Sequence, residues 1–90
     1  MAPKEYEVTI KLIANKQPCH AGLKIGQEWK FDYFPPQGIC GFAYNSIFPF
    51  ALVLKTGGTF PWQQDPDMVI ASCPDAEVVN TFEIRRRVKK

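Results

Sequence analysis

FAYNSIFPFALVLKTGG, residues 42–58, decides how this chain folds. Its apolar side chains recur at Phe42, Ala43, Ile47, Phe50, Ala51 and Leu54, a spacing that lays a stripe along a helix rather than one face of a strand. Pro49 has no N–H to donate in mid-helix, so it either kinks the helix or opens its second part, with Asn45 or Ser46 as the cap. Gly57 and Gly58 supply the stop, and Lys55 sits near the negative end of the helix dipole.

On both sides of this segment the period drops to two. In EYEVTIKLIANK (5–16), Tyr6, Val8, Ile10 and Leu12 face one way while Glu5, Glu7, Thr9 and Lys11 face the other, which predicts a half-buried first strand. GQEWKFDYF (26–34) places Trp29 and Phe31 on one face of a second short strand, stopped by Pro35 and Pro36. After the helix, TFPWQQDPD (59–67) reads as loop, MVIASC (68–73) as a buried-type strand and PDAE (74–77) as a turn. VVNTFEIRRRV (78–88) alternates again, with Val78, Asn80, Phe82 and Ile84 opposite Val79, Thr81 and Glu83. The last two strands should form a terminal hairpin. The expected fold is therefore α+β: a small antiparallel sheet in ββ–α–ββ order with one kinked helix packed on it.

Ninety residues, 46% of them apolar and 13% aromatic, suffice for one domain spanning 1–90 with a core of its own. The formal net charge is +2, and the basic excess is concentrated at 84–90, read as a solvated C-terminal tail. Basic and aromatic residues do not interleave elsewhere, so nucleic-acid binding is not expected. No apolar run is long enough for a transmembrane helix, and the start MAPKEYEVTI lacks a signal-peptide core, so the expected compartment is the cytoplasm.

Three cysteines are an odd number, and in a reducing compartment all would be free thiols. A cysteine used only for packing usually has apolar neighbours on both sides. Here each has turn residues beside it: Pro18 and His20 flank Cys19, Gly38 and Gly41 lie about Cys40, and Pro74 follows Cys73. All three thus sit at element ends, which a small domain can gather at one rim of its sheet. Cys40, just before the helix, is where unpaired amides and the positive dipole end would hold a thiolate. Asp75 projects from the same rigid turn as Cys73 and could serve as acid or base.

The order of these motifs resembles a family of short, uncharacterised prokaryotic proteins of about this length. The likeness runs over roughly residues 6 to 84 and rests on PCHAGLKIGQEWKF, GICGFAYNSIFPFALVLKTGGTFPW, DPD and SCPD. It marks Cys19, Gly26, Cys40, Pro49, Gly57, Gly58, Pro61, Trp62, Asp65, Cys73, Pro74 and Asp75 as the shared pattern. The family has no established function, so the resemblance supplies no activity to carry over, and the cofactor is left unknown.

Three functional readings follow. The first is a small enzyme acting on a small organic substrate. Its pocket would be walled by Phe60 and Trp62 with Asp65 at the edge, Cys40 would be the reactive thiol, and Cys73 and Asp75 would move protons. The second is a metal or redox-cofactor site made by Cys19, Cys40 and Cys73, with His20 as a fourth ligand, although the spacing matches no standard zinc pattern. The third is a structural homo-oligomeric module.

Overall fold

The first strand begins where alternation begins. A computed structural model describes residues 6–88, so Glu5, Lys89 and Lys90, which entered the expectations above, lie outside the described residues. Strand β1 spans Tyr6–Ala14 and β2 Glu28–Phe31, helix α1 spans Gly41–Lys55, and strands β3 and β4 span Met68–Ser72 and Thr81–Val88. The four strands form one antiparallel sheet in the order β2-β1-β4-β3. The ββ–α–ββ reading therefore holds. The first and last strands of the chain's two halves, β1 and β4, pair at the centre of the sheet.

Alternation does the work it should. Val8, Ile10 and Leu12 of β1, Trp29 and Phe31 of β2, Val69 and Ala71 of β3, and Phe82 and Ile84 of β4 are all buried on the helix-covered face. Thr9, Lys11, Glu28, Glu83, Arg85 and Arg87 lie together on the opposite face. Strand β3, expected to be buried on both faces, instead alternates like the others, because the sheet has a helix on one side only.

Helix α1 buries Ala43, Tyr44, Ile47, Ala51 and Leu54. Phe42, assigned to the stripe from spacing alone, is 56% exposed, and Tyr44 takes its place in the core. Tyr44 stacks with Phe31 at a 6.2 Å ring separation and donates its hydroxyl to the Asp32 carbonyl at 3.2 Å. Burial, and then the nearby Asp32 charge, pushes the Tyr44 phenol above its ordinary pKa.

The helix is continuous through Pro49, which lies on the exposed side. The expected second cap is absent: Ser46 Oγ instead donates to the Ser72 carbonyl at 2.6 Å and ties the helix to β3. The residue that caps α1 is Cys40. At the far end Gly57 takes φ +91°, the left-handed conformation that ends helices.

The basic tail needs the largest correction. Residues 84–88 belong to β4, and Arg86 is buried among core groups. Its inward position follows from strand parity, since Phe82, Ile84 and Arg86 share a face. The guanidinium donates to the carbonyls of Leu54 at 3.0 Å, Gly58 at 2.6 Å and Pro66 at 3.0 Å, and to Asp67 Oδ1 at 3.1 Å. It also lies 4.6 Å from the Tyr6 ring centre. One side chain thus joins the helix end, the Gly-Gly turn, the DPD loop and β1.

Candidate functional site

Three chain connections meet at one end of the sheet. They are the loop from β1 to β2, the entry to α1, and the connection from β3 to β4. Between them lies a cavity of ≈ 130 Å³ lined by Cys19, His20, Ala21, Cys40, Phe42, Ala43, Cys73, Asp75, Val78 and Asn80. All three cysteines are free thiols and all three face this cavity. The expectation that separate element ends would gather the sulfurs at one rim is met.

Local sequence explains each placement. The pairing of β1 with β4 slips between Leu12 and Ala14, a bulge that re-aims the chain as it leaves the sheet. Lys16 N–H then donates to the Val78 carbonyl at 2.7 Å, and Asn15 Nδ2 donates to Asn80 Oδ1 at 3.2 Å. These bonds hold the Cys19 loop against the β3–β4 connection. Gly22 has φ +86°, which lets the chain turn tightly just past Cys19, and its N–H donates to the Cys19 carbonyl at 3.0 Å.

Cys73 follows β3 directly and pairs with Asn80 across the connection. Its N–H donates to the Asn80 carbonyl at 2.9 Å, and the Asn80 N–H donates to Cys73 Sγ at 3.2 Å. Inside this connection Asp75 Oδ1 accepts the N–H groups of Glu77 at 3.0 Å and Val78 at 3.2 Å. Asp75, expected as an acid or base beside the thiol, thus uses Oδ1 to build the turn while it also lines the cavity. The turn is wider than the four residues expected, running from Cys73 to Asn80.

Val79 closes the turn with φ 47°, a left-handed conformation rare for a β-branched residue and costing on the order of 1–3 kcal/mol. Its N–H donates to the Asp75 carbonyl at 2.8 Å. The strained residue immediately precedes Asn80 and sets that side chain on the cavity wall.

Electrostatics single out Cys19. Burial by itself would push its thiol up in pKa. Hydrogen bonds from the Asn80 side chain, and from the backbone N–H groups of Leu23, Ala21 and Gly22, outweigh burial and hold it below the ordinary thiol value. With Asn80 Oδ1 occupied by Asn15, the Asn80 amide nitrogen is the end left to donate to the sulfur. Asn80 is buried and reaches both Cys19 and Cys73.

Cys40, expected as the reactive thiol, stands at the helix entry on the cavity wall. It is the N-cap residue of α1, with φ −67° and ψ 134°, and its carbonyl accepts the Tyr44 N–H at 2.9 Å, but its side chain makes no capping bond. The helix entry therefore gives this sulfur a place on the wall without a directed donor.

The proposed aromatic wall is a second correction. Phe60 packs between Phe50 and Trp62, with ring centres 5.5 and 5.1 Å away, and Trp62 is 63% exposed. Asp65 pairs with Arg85 at 2.9 Å. The Asp67 N–H, and then Arg85, hold the Asp65 carboxyl below its usual range. None of these three lines the cysteine cavity, whose aromatic wall is Phe42. The metal reading also loses its geometry: among the described residues, no three His, Cys, Asp or Glu side chains are grouped to hold an ion.

No family description, no curated protein and no solved structure matches the chain. Among the described residues, no helix is long and apolar enough to cross a membrane.

Proposed function

We propose that this protein is a small thiol-dependent enzyme whose nucleophile is Cys19. The observation that carries this reading is a cavity lined by three thiols, at which the Asn80 side chain and the amides of the tight turn past Cys19 hold that one thiol below its ordinary pKa. Such donors favour the thiolate, which is the reactive form of cysteine. They would also be in place to stabilise negative charge as it leaves the sulfur or forms beside it. Phe42, Ala43 and Val78 make the walls mainly apolar. At ≈ 130 Å³ the cavity takes a small uncharged group rather than a large organic substrate. Asn80 and Asp75 act as positioning residues, one through Cys19 and the other through the turn that carries Asn80. This chemistry needs reduced thiols, which suits the cytoplasm.

Alkylation with iodoacetamide, followed by peptide mass mapping across a pH series, tests the reading. Cys19 should be modified first, with a pH midpoint below that of a free thiol. Modification of Cys40 or Cys73 ahead of Cys19, or a Cys19 midpoint at the free-thiol value, overturns it.

Association into a homo-oligomer is a second, compatible reading. It is favoured by Phe34, 81% exposed, together with exposed Tyr33 and Trp62, which a second copy would cover. Light scattering at micromolar concentration that returned a monomer would refute it.

A further inference from the structure

The number of thiols on the cavity wall says which electrophile the site is built for. We infer that the cavity is a two-thiol peroxide site, in which Cys19 is oxidised by a small hydroperoxide and Cys40 resolves the product as a Cys19–Cys40 disulfide. This deepens the reading of Cys19 as the nucleophile and rests on it.

Three observations select this chemistry from the reactions open to a thiolate. Capture of a carbon electrophile needs one cysteine, whereas a two-electron redox cycle needs a second thiol within reach, and this wall carries two more. Acyl transfer needs a base or acid engaged with the sulfur; His20 and Asp75 both line the cavity, but among the described residues neither side chain is hydrogen-bonded to a cysteine sulfur, and Asp75 Oδ1 accepts the amides of Glu77 and Val78. The lining holds no lysine or arginine to fix a carboxylate or phosphate, and its walls are mainly Phe42, Ala43, Val78 and Ala21. A small, uncharged hydroperoxide meets all three conditions.

The steps balance. The Cys19 thiolate attacks the outer oxygen of ROOH, the O–O bond breaks, and a proton from solvent converts the departing alkoxide to ROH. Cys19 is now a sulfenic acid, oxidised by two electrons. The Cys40 thiol attacks that sulfur, the S–O bond breaks, and water leaves as the disulfide forms. An external dithiol returns both cysteines to the reduced state by exchange.

Cys40 is the resolving thiol because it is the freer of the two neighbours. Cys73 is 7% exposed, its sulfur accepts the Asn80 N–H, and its backbone is paired to the same residue. Cys40 is half-buried and makes no side-chain capping bond. It lies between Gly38, at φ +89°, and Gly41, where an added Cβ would meet nothing within 4 Å.

The test treats reduced full-length protein with hydrogen peroxide or tert-butyl hydroperoxide and maps the cysteines by mass spectrometry. Wild type should lose two hydrogens and yield a Cys19–Cys40 cross-linked peptide. In Cys40→Ser that cross-link is lost and Cys19 should be trapped as a sulfenic acid by dimedone, while Cys73→Ser should still form the cross-link. A Cys19–Cys73 cross-link would overturn the role of Cys40. If wild type gives neither disulfide nor dimedone adduct although Cys19 alkylates fast, the peroxide inference fails and the nucleophile reading stands. If Cys19 also alkylates like a free thiol, both fall.

Discussion

Replacing Arg86 should cost more stability than any other change to a charged side chain in this domain. Its guanidinium makes four hydrogen bonds, three of them to backbone carbonyls at the end of α1, in the Gly-Gly turn and in the DPD loop. A hydrogen bond from a charged donor contributes about 1.5–3 kcal/mol, but bonds that share one side chain do not add in full. The ion pair with Asp67 adds little, because that carboxylate is 56% exposed and well solvated. The contact with the Tyr6 ring adds about 0.5–1 kcal/mol. Arg86→Ala should therefore lose about 3–5 kcal/mol, a large share of the roughly 5–13 kcal/mol expected for a domain of this length. By the size scaling of small domains, the midpoint of thermal unfolding should fall by on the order of 20 °C. Urea unfolding followed by circular dichroism measures the loss directly, provided the slope against denaturant is unchanged. Two companions separate fork from charge. Arg86→Lys keeps the charge but cannot span the carbonyls, so it should lose most of what alanine loses. Asp67→Asn should lose less than about 1 kcal/mol. A loss below about 1 kcal/mol in Arg86→Ala, or a lysine variant as stable as wild type, would refute the claim that this clamp holds the helix end to the sheet.

Four further outcomes follow from the cavity and its supports. Asn80→Ala should slow alkylation of Cys19 at neutral pH and move its pH midpoint upward towards that of a free thiol, and an unchanged profile would remove Asn80 from its positioning role. Because the Cys19 pKa is lowered on folding, the thiolate adds stability above the unfolded-state pKa, and this contribution fades as pH falls through the folded value. The stability gap between wild type and Cys19→Ser should accordingly widen as pH rises, and a gap that narrows in urea titrations would contradict the sign. Gly58→Ala should be more damaging than Gly41→Ala, since an added Cβ at 58 would stand 2.6 Å from Val53 Cγ1 and 3.1 Å from the Val53 carbonyl, whereas at 41 it meets open space; equal melting temperatures would count against it. A Cys19–Cys40 disulfide should raise stability by about 3 kcal/mol if it forms without strain, which a denaturation series with and without reductant would measure.

How much of this could be read from the chain depends on which interactions are local. Strand faces and the helix follow from side-chain periodicity, so β1, β2, α1 and β4 lie where alternation and the 42–58 stripe put them. Phe42 and Tyr44 exchange roles because periodicity finds the stripe but not its edge, and the edge is set by Phe31 across the interface. Arg86 was taken for a solvated tail because three successive arginines suggest solvent, yet the same parity that buries Phe82 and Ile84 points only the middle one inward. The convergence of the thiols was legible from turn residues beside each cysteine. The identity of the activated one was not. A thiolate is chosen by donors aimed at its sulfur, and those come from the loop past Cys19 and from Asn80, sixty-one positions further along the chain. One signal was available: Asn80 is the polar residue on the otherwise apolar Val78, Phe82 and Ile84 face, and a buried amide must find partners. It found them in Asn15 and Cys19, while the Asn80 backbone N–H donates to Cys73 Sγ, and Val79 accepts backbone strain immediately before it. Val79 bears that cost where its bond to the Asp75 carbonyl closes the turn and so fixes Asn80, on which the proposed role of Cys19 depends.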